Sequence, residues 1–247
     1  MFSFFKKKQT TPNASLAFIG TDMHNHLLPG IDDGSPDVET SLRLMQGLMD
    51  LGYDRFYCTP HVLGEVHPNT PATIGDAFQK LQTSVAEENF PVTLGYSAEY
   101  MTDYEVEEII NSGNLVTLPD NNVLIEMSYA VESPNIKEVI FQLQTKGYKP
   151  ILAHPERYPY YFSRFDTYES FLDAGADLQI NILSLSGYYG KDTKKIAEKL
   201  LQADFITWVG TDLHHDRHLA AIKELAASSK IVKQLEKIKN LKNRQLV

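Results

Sequence analysis

Apolar and polar residues follow two rhythms along this chain. Short apolar runs bounded by Gly, Pro and Asp lie at Leu16–Ile19, Arg55–Thr59, Val92–Ser97, Val123–Ile125, Pro150–Ala153, Asp177–Ile182 and Phe205–Val209, and they predict strands. Between them, apolar positions recur at helical spacing. Asp37–Leu51 sets Val38, Leu42, Met45, Leu48 and Met49 on one side, starts beside Pro36 and stops at Gly52. Thr70–Glu88 does the same with Ile74, Phe78, Leu81 and Val85. Further helices are predicted over Tyr104–Ile110, Asn135–Thr145, Arg164–Ala174, Asp192–Ala203, His218–Ser229 and Ile231–Leu241.

Strand and helix alternate with short links, which argues for a parallel sheet. Seven such strands in 247 residues predict an α/β fold, a distorted TIM-like (β/α)7 barrel one unit short of the full ring. An open doubly wound sheet is the alternative, but no Gly-rich dinucleotide fingerprint follows the first strand. No repeat or long linker divides the pattern. Residues 16–247 are therefore read as a single barrel domain behind a flexible N-terminal segment, 1–15.

Composition narrows the function. The chain is 43% hydrophobic, enough for a sizeable core, and its formal net charge is −9. That balance is not what a phosphate-backbone grip needs unless a metal supplies the positive charge, so nucleic acid is not an expected partner. The one cysteine, Cys58, sits in an apolar run and excludes a disulfide framework or a thiolate zinc cluster. No apolar run is long enough to span a bilayer. The opening Met1-Phe2-Ser3-Phe4-Phe5-Lys6-Lys7-Lys8 has its apolar and basic parts in the wrong order for a signal peptide. A cytoplasmic protein with at most peripheral membrane proximity is expected, and no sequence feature sets an oligomeric state.

The chemistry lies at the strand ends. In Asp22–Gly34, His24 and His26 lie two apart and share a face of an extended chain. Pro29, Gly30 and Gly34 then turn the chain sharply, with Asp32 and Asp33 riding on the turn. His61 follows the second strand, Glu99 the third, Glu126 the fourth and His154 the fifth, while Asp212 and His214 follow the last. A parallel barrel gathers all these ends at one mouth. Imidazoles and carboxylates collected there without thiolate call for divalent cations, with manganese, iron and zinc all compatible. Eight ligands exceed one tetrahedral ion, so two or three ions are expected, with a carboxylate such as Glu99 bridging. Such a cluster acidifies water and clamps phosphate oxygens. Arg157 and Arg217, each three residues after a ligand histidine, are candidate phosphate binders, and Asp33 is a candidate ligand or proton donor. Tyr158, Tyr160, Tyr161, Phe162, Tyr188 and Tyr189 are candidate walls for an aromatic leaving group.

Taken in order, His24-x-His26, Thr59-Pro60-His61, Ala98-Glu99, Ile125-Glu126-Met127-Ser128, Ala153-His154-Pro155-Glu156-Arg157 and Thr211-Asp212-Leu213-His214 resemble the PHP (polymerase and histidinol phosphatase) superfamily. More narrowly they resemble bacterial manganese-dependent protein-tyrosine phosphatases of the CpsB and YwqE type, linked to capsule and exopolysaccharide synthesis. The resemblance runs from about Ile19 to the C-terminal helices. It implies a distorted barrel with three metals: His24, His26, Glu99 and Asp212 on the first, Glu99, Glu126 and His154 on the second, His61 and His214 with Asp33 on the third, and Arg157 on the substrate phosphate. It also implies a phosphotyrosine protein as substrate, a bacterial tyrosine autokinase. The chain departs from the pattern after His214, where His215-Asp216-Arg217-His218 follows directly and the family places its second arginine further on. Rival readings are a small-molecule phosphatase such as a histidinol phosphatase, an amidohydrolase-type enzyme, and a non-catalytic metal-binding module. Glu126 stands where the amidohydrolase class carries a bridging lysine. Cys58 lacks the phosphate-cradling loop that follows a catalytic phosphatase cysteine.

Overall fold

The computed structural model describes residues 15–246. The N-terminal segment read as flexible lies outside the described residues except for Ser15. Among the described residues, parallel strands form two hydrogen-bonded sets. β1 (Thr21–Asp22), β2 (Arg55–Cys58) and β4 (Thr93–Tyr96) pair in the order β1-β2-β4. β3 (His61–Val62), β5 (Glu99–Met101), β6 (Asn122–Glu126), β7 (Lys149–Ala153), β8 (Asp177–Asn181) and β9 (Ile206–Gly210) pair in that order.

The two sets are one ring. The second strand breaks at Thr59-Pro60 and resumes as β3, because Pro60 has no N–H to give the ladder. The third breaks at Ser97-Ala98 and resumes as β5. The ring closes where β9 returns to β1: Asn25 bridges Leu213 in parallel, Asp212 N donates to His24 O at 2.8 Å, and His26 N donates to Leu213 O at 3.0 Å. Below this, the side chain of Asn243 takes the place of a ladder. Its Nδ2 donates to Thr21 O at 2.9 Å and to Val209 O at 2.7 Å, and its Oδ1 accepts Val209 N at 3.1 Å. Six of the seven predicted strand positions and the (β/α)7 barrel are as the sequence pattern anticipates. The apolar run Leu16–Ile19 is instead a turn: Leu16 and Ile19 are buried, but β1 begins only at Thr21.

Helices α1 (Val38–Met49), α2 (Pro71–Glu87), α3 (Val106–Ser112), α4 (Ile136–Thr145), α5 (Asp166–Asp173), α6 (Lys191–Gln202), α7 (Asp216–Ala226) and α8 (Ser229–Leu235) surround the ring. α1 starts where Asp37 Oδ1 accepts Thr40 N at 2.8 Å, and Thr70 and Thr73 cap the start of α2 reciprocally. The last helix stops at Leu235, short of the Leu241 that periodicity indicated.

Alternation along the strands sorts two cores. Val123 and Ile125 of β6, Leu152 of β7 and Ile180 of β8 face the helices and belong to the large outer core. Their neighbours Leu124, Ile151 and Ala153 pack with Met23, Tyr57, Leu118, Trp208 and Leu246 as a plug inside the barrel. Each such side chain contributes about 1.5–3 kcal/mol on burial. Above that plug, inward positions turn polar: Glu99, Glu126, Gln179 and Asn181, all buried.

Candidate metal centre and adjoining cavity

Glu99, on the restarted strand β5, is fully buried, and its two oxygens meet four imidazoles. Oε1 lies 3.2 Å from His24 Nε2 and 3.0 Å from His154 Nε2, while Oε2 lies 3.5 Å from His26 Nε2 and 3.1 Å from His61 Nδ1. Asp212 Oδ1 is 3.5 Å from His24 Nε2 and 3.4 Å from both His26 Nε2 and His214 Nδ1. Glu126 Oε1 sits 2.9 Å from His61 Nδ1, and its Oε2 3.8 Å from His154 Nε2. Asp33 Oδ1, at the rim, is 3.5 Å from the Nε2 atoms of His61 and His214. All eight residues read from the strand ends thus converge. They form overlapping groups: His24, His26 and Asp212; His24, Glu99 and His154; His61, Glu99 and Glu126; and His26, Asp33, His61 and His214.

Surrounding hydrogen bonds set the tautomers. Asp212 Oδ2 only accepts, so Asn181 Nδ2 donates to it at 2.7 Å. Asn181 Oδ1 then accepts Gln179 Nε2 at 2.9 Å, and Gln179 Oε1 accepts His24 Nδ1–H at 2.7 Å. His26 Nδ1–H donates to Asp32 Oδ2 at 2.8 Å, and His214 Nδ1–H to Asp212 O at 2.9 Å. Each ring proton is held outward, which leaves Nε2 lone pairs facing inward. His24 Nε2 and His26 Nε2 face each other at 3.4 Å. Two lone pairs cannot bond each other, and His61 Nδ1, Glu99 Oε2 and Glu126 Oε1 are buried without an aligned hydrogen bond. Cations seated in the overlapping groups satisfy these atoms, so the donor set fits divalent metal.

Charge balance points the same way. Burial pushes the imidazoles toward neutrality, but Glu99 and Asp212 outweigh it at His24. Asp32, Asp212 and Glu99 outweigh it more strongly at His26. At His61, contacts with Glu126 and Glu99 carry the pKa up to about 10 against burial and the neighbouring His26. Burial raises the Asp212 carboxyl, yet His214, His24, His26 and Arg157 together hold it well below the usual range. Without a cation the cluster stays neutral only by keeping protons. Its backbone is also strained: His154 (φ 35°) and Asp212 (φ 51°) are left-handed at the ends of their strands.

A cavity of about 230 Å³ opens beside the cluster, lined by Asp33, His61, Tyr129, Arg157, Tyr189, Asp212, His214, His215 and His218. Arg157 follows His154 in a 3-10 turn. Its Nη1 donates to Asp212 Oδ2 at 2.7 Å, and its guanidinium stacks 4.4 Å from the Tyr129 ring centroid and 4.1 Å from that of Tyr189. The turn is held by buried Glu156, whose Oε1 accepts Asn181 N at 2.9 Å and Ser184 Oγ at 2.6 Å.

Two candidate sets need correction. Arg217 lies exposed on the first turn of α7, outside the cavity lining, because one residue of helix turns the side chain by about 100° and His218 takes the inward position. The aromatic wall also divides. Tyr189 lines the cavity, but Tyr158 and Tyr161 are core residues. Tyr158 Oη donates to Ala153 O at 3.0 Å and accepts Met127 N at 2.9 Å. Tyr160 Oη donates to Ser128 O, and Tyr188 is 42% exposed. Sequence reasoning missed Tyr129, Gln179, Asn181 and Glu156. Only the polar alternation Gln179-x-Asn181 within an apolar strand signalled any of them.

A family model described as capsular polysaccharide synthesis, CpsB/CapC, matches residues 20–242. The tyrosine-protein phosphatase YwqE of Bacillus subtilis is 30% identical over 195 residues, covering 78% of this chain and 77% of that protein. A putative tyrosine-protein phosphatase, CapC of Staphylococcus aureus, is 24% identical over 229 residues, covering 92% and 90%. Among solved structures, a chain from the crystal structures of YwqE from Bacillus subtilis and CpsB from Streptococcus pneumoniae, described as unique metal-dependent tyrosine phosphatases, superposes with a TM-score of 0.80 at 28% identity, covering 92% of this chain and 90% of that one.

Proposed function

The chain belongs to the CpsB/CapC family, and from that premise we propose that it hydrolyses phosphotyrosine in proteins as a metal-dependent phosphatase. One observation carries the reading: Nε2 lone pairs and a doubly shared carboxylate form one cluster of overlapping ligand groups beside a cavity lined by an arginine. A phosphomonoester dianion needs both features. Divalent ions, when bound, supply Lewis acidity that acidifies water and draws charge from phosphoryl oxygens.

The protein's own groups do the rest. His24, His26, Glu99 and Asp212 would hold one ion, Glu99, Glu126 and His154 a second, and His61, His214 and Asp33 a third, with manganese favoured over iron or zinc. Arg157 binds the phosphate: one N–H anchors it to Asp212, and its other N–H groups, unpartnered among the described residues, belong to a side chain that lines the cavity. Tyr129 and Tyr189 fix the guanidinium plane and offer aromatic faces to a phenolic leaving group. Contact with His214, with His61 and His26 nearby, outweighs partial burial and holds Asp33 ionised, which suits a cation ligand and not a proton donor. Arg217 is given no part. Cys58 is buried, and burial pushes its thiol up, away from the reactive thiolate. The expected protein substrate is the tyrosine-rich segment of an autokinase of capsule synthesis.

The test is phosphate release from a phosphotyrosine peptide by chelator-stripped protein titrated with manganese, zinc and iron. Turnover that needs added metal and vanishes in His154→Ala and Arg157→Ala supports the reading. No turnover by protein shown to hold metal overturns it.

A further inference from the structure

The cavity wall contributed by α7 is built from histidine, and its hydrogen bonds fix where the ring protons lie. The backbone N–H of His214 donates to His218 Nδ1 at 3.3 Å, and the backbone N–H of His218 donates to His215 Nδ1 at 3.3 Å. A backbone N–H can only donate, so both Nδ1 atoms are lone-pair acceptors, and each ring carries its proton on Nε2. His218 is therefore a neutral imidazole with one N–H at its far end. Among the described residues that Nε2–H has no partner.

The ring is held firmly. It lies 4.0 Å from the His215 centroid and edge-on to His214 and Tyr188, at 5.6 and 5.2 Å. The next residue, Leu219, fills a notch at Gly47 of α1, where even a Cβ would come within 2.4 Å of Leu219 Cδ2. α7 thus seats against α1 and presents His218 to the same cavity as Arg157, with the Tyr189 ring near both. A lone neutral donor on one lining residue and an arginine fork on another, around one small cavity, make up a mixed clamp for an oxyanion.

We propose that His218 is a substrate-binding residue: its Nε2–H donates to a non-bridging phosphoryl oxygen while Arg157 engages the others. The proposal rests on the phosphatase reading and names how this chain grips the phosphate where Arg217 does not reach. No proton is transferred; the contact is a hydrogen bond that orients the group.

The experiment compares three variants as manganese-loaded full-length protein, with inorganic phosphate binding measured by calorimetry alongside kcat and KM on a phosphotyrosine peptide. His218→Asn keeps an acceptor where Nδ1 sits and removes the distal donor. His218→Gln places an amide N–H near the lost Nε2–H, and His218→Leu removes both. The expected result is about tenfold weaker phosphate binding and a correspondingly higher KM in Asn and Leu, recovery to within about threefold in Gln, and unchanged metal content in Asn. Wild-type phosphate affinity in His218→Asn, a Gln variant as weak as Leu, or metal loss paralleling the loss of phosphate binding would overturn it. Phosphate binding is read without turnover, so the inference is decided even if the peptide is not a substrate.

Discussion

Arg157 and Asp212 meet at 2.7 Å, so the residue assigned to the phosphate is tethered to a residue of the candidate metal centre. The second Asp212 oxygen points into the imidazole cluster. Replacing Arg157 with Lys keeps a charge but gives up the fork that serves Asp212 and phosphate together. The expected loss in kcat/KM is about 10²-fold. Steady-state kinetics on a phosphotyrosine peptide, with metal content measured in parallel, checks this.

Gln179 orients His24 without being a ligand itself. In Gln179→Leu the His24 Nδ1–H loses its acceptor and the ring is free to turn. Metal affinity is expected to fall about 10–100-fold, measured by competition with a chelating dye, with the melting temperature of the metal-free protein as control.

Gly210 lets β9 pass close under His24, where an added Cβ would stand 2.6 Å from the His24 Cβ. Gly210→Ala is expected to destabilise the fold by about 1–3 kcal/mol and to loosen metal binding through a displaced His24. Chemical denaturation with and without manganese separates the two effects.

Asn243 makes three buried hydrogen bonds across the closing seam. Asn243→Leu strands two carbonyls and an amide in the interior. A loss of about 2–5 kcal/mol in unfolding free energy is expected, with hydrogen exchange rising first at the Val209 amide that Asn243 holds.

The metal-free cluster carries its own pH signature. His24, His26 and His61 have folded-state pKa values raised above the ordinary 6.5, that of His61 to about 10. Their contribution to stability is complete below about pH 6.5 and is lost as pH rises toward 10. Glu99 and Asp212 are shifted the other way, so their contribution is lost as pH falls below the ordinary carboxylate range. Denaturation of stripped protein should show greatest stability in mildly acidic solution. Metal displaces the imidazole protons, so its affinity should climb with pH, and calorimetry in buffers of different ionisation enthalpy should register proton release.

The ring and the eight converging residues were legible because both leave one-dimensional traces. Strand period and helix period differ, and His, Asp or Glu recurs where nearly every apolar run ends. The supporting shell left almost none. Gln179 and Asn181 look like the solvent face of an ordinary alternating strand, and only closure of the barrel turns that face inward. Tyr129 lies in a loop and acquires meaning through Arg157, 28 positions later in the sequence. Arg217 looked like a phosphate binder because charge and proximity in sequence were visible while the rotation of α7 was not.

The seam has a consequence in time. β1 and β9 are joined by Asn243, which reaches Thr21 across 222 positions of sequence. His24 and Asp212 bond across the same join, and Thr211 is tied to Asp22 across 189 positions. Contacts so distant in sequence close late and slowly in folding. Most of the barrel can therefore be assembled on a nascent chain while His24 and His26 are still apart from Asp212 and His214, so the ion that His24, His26 and Asp212 share would be bound as one of the last acts of folding and not as a seed for it.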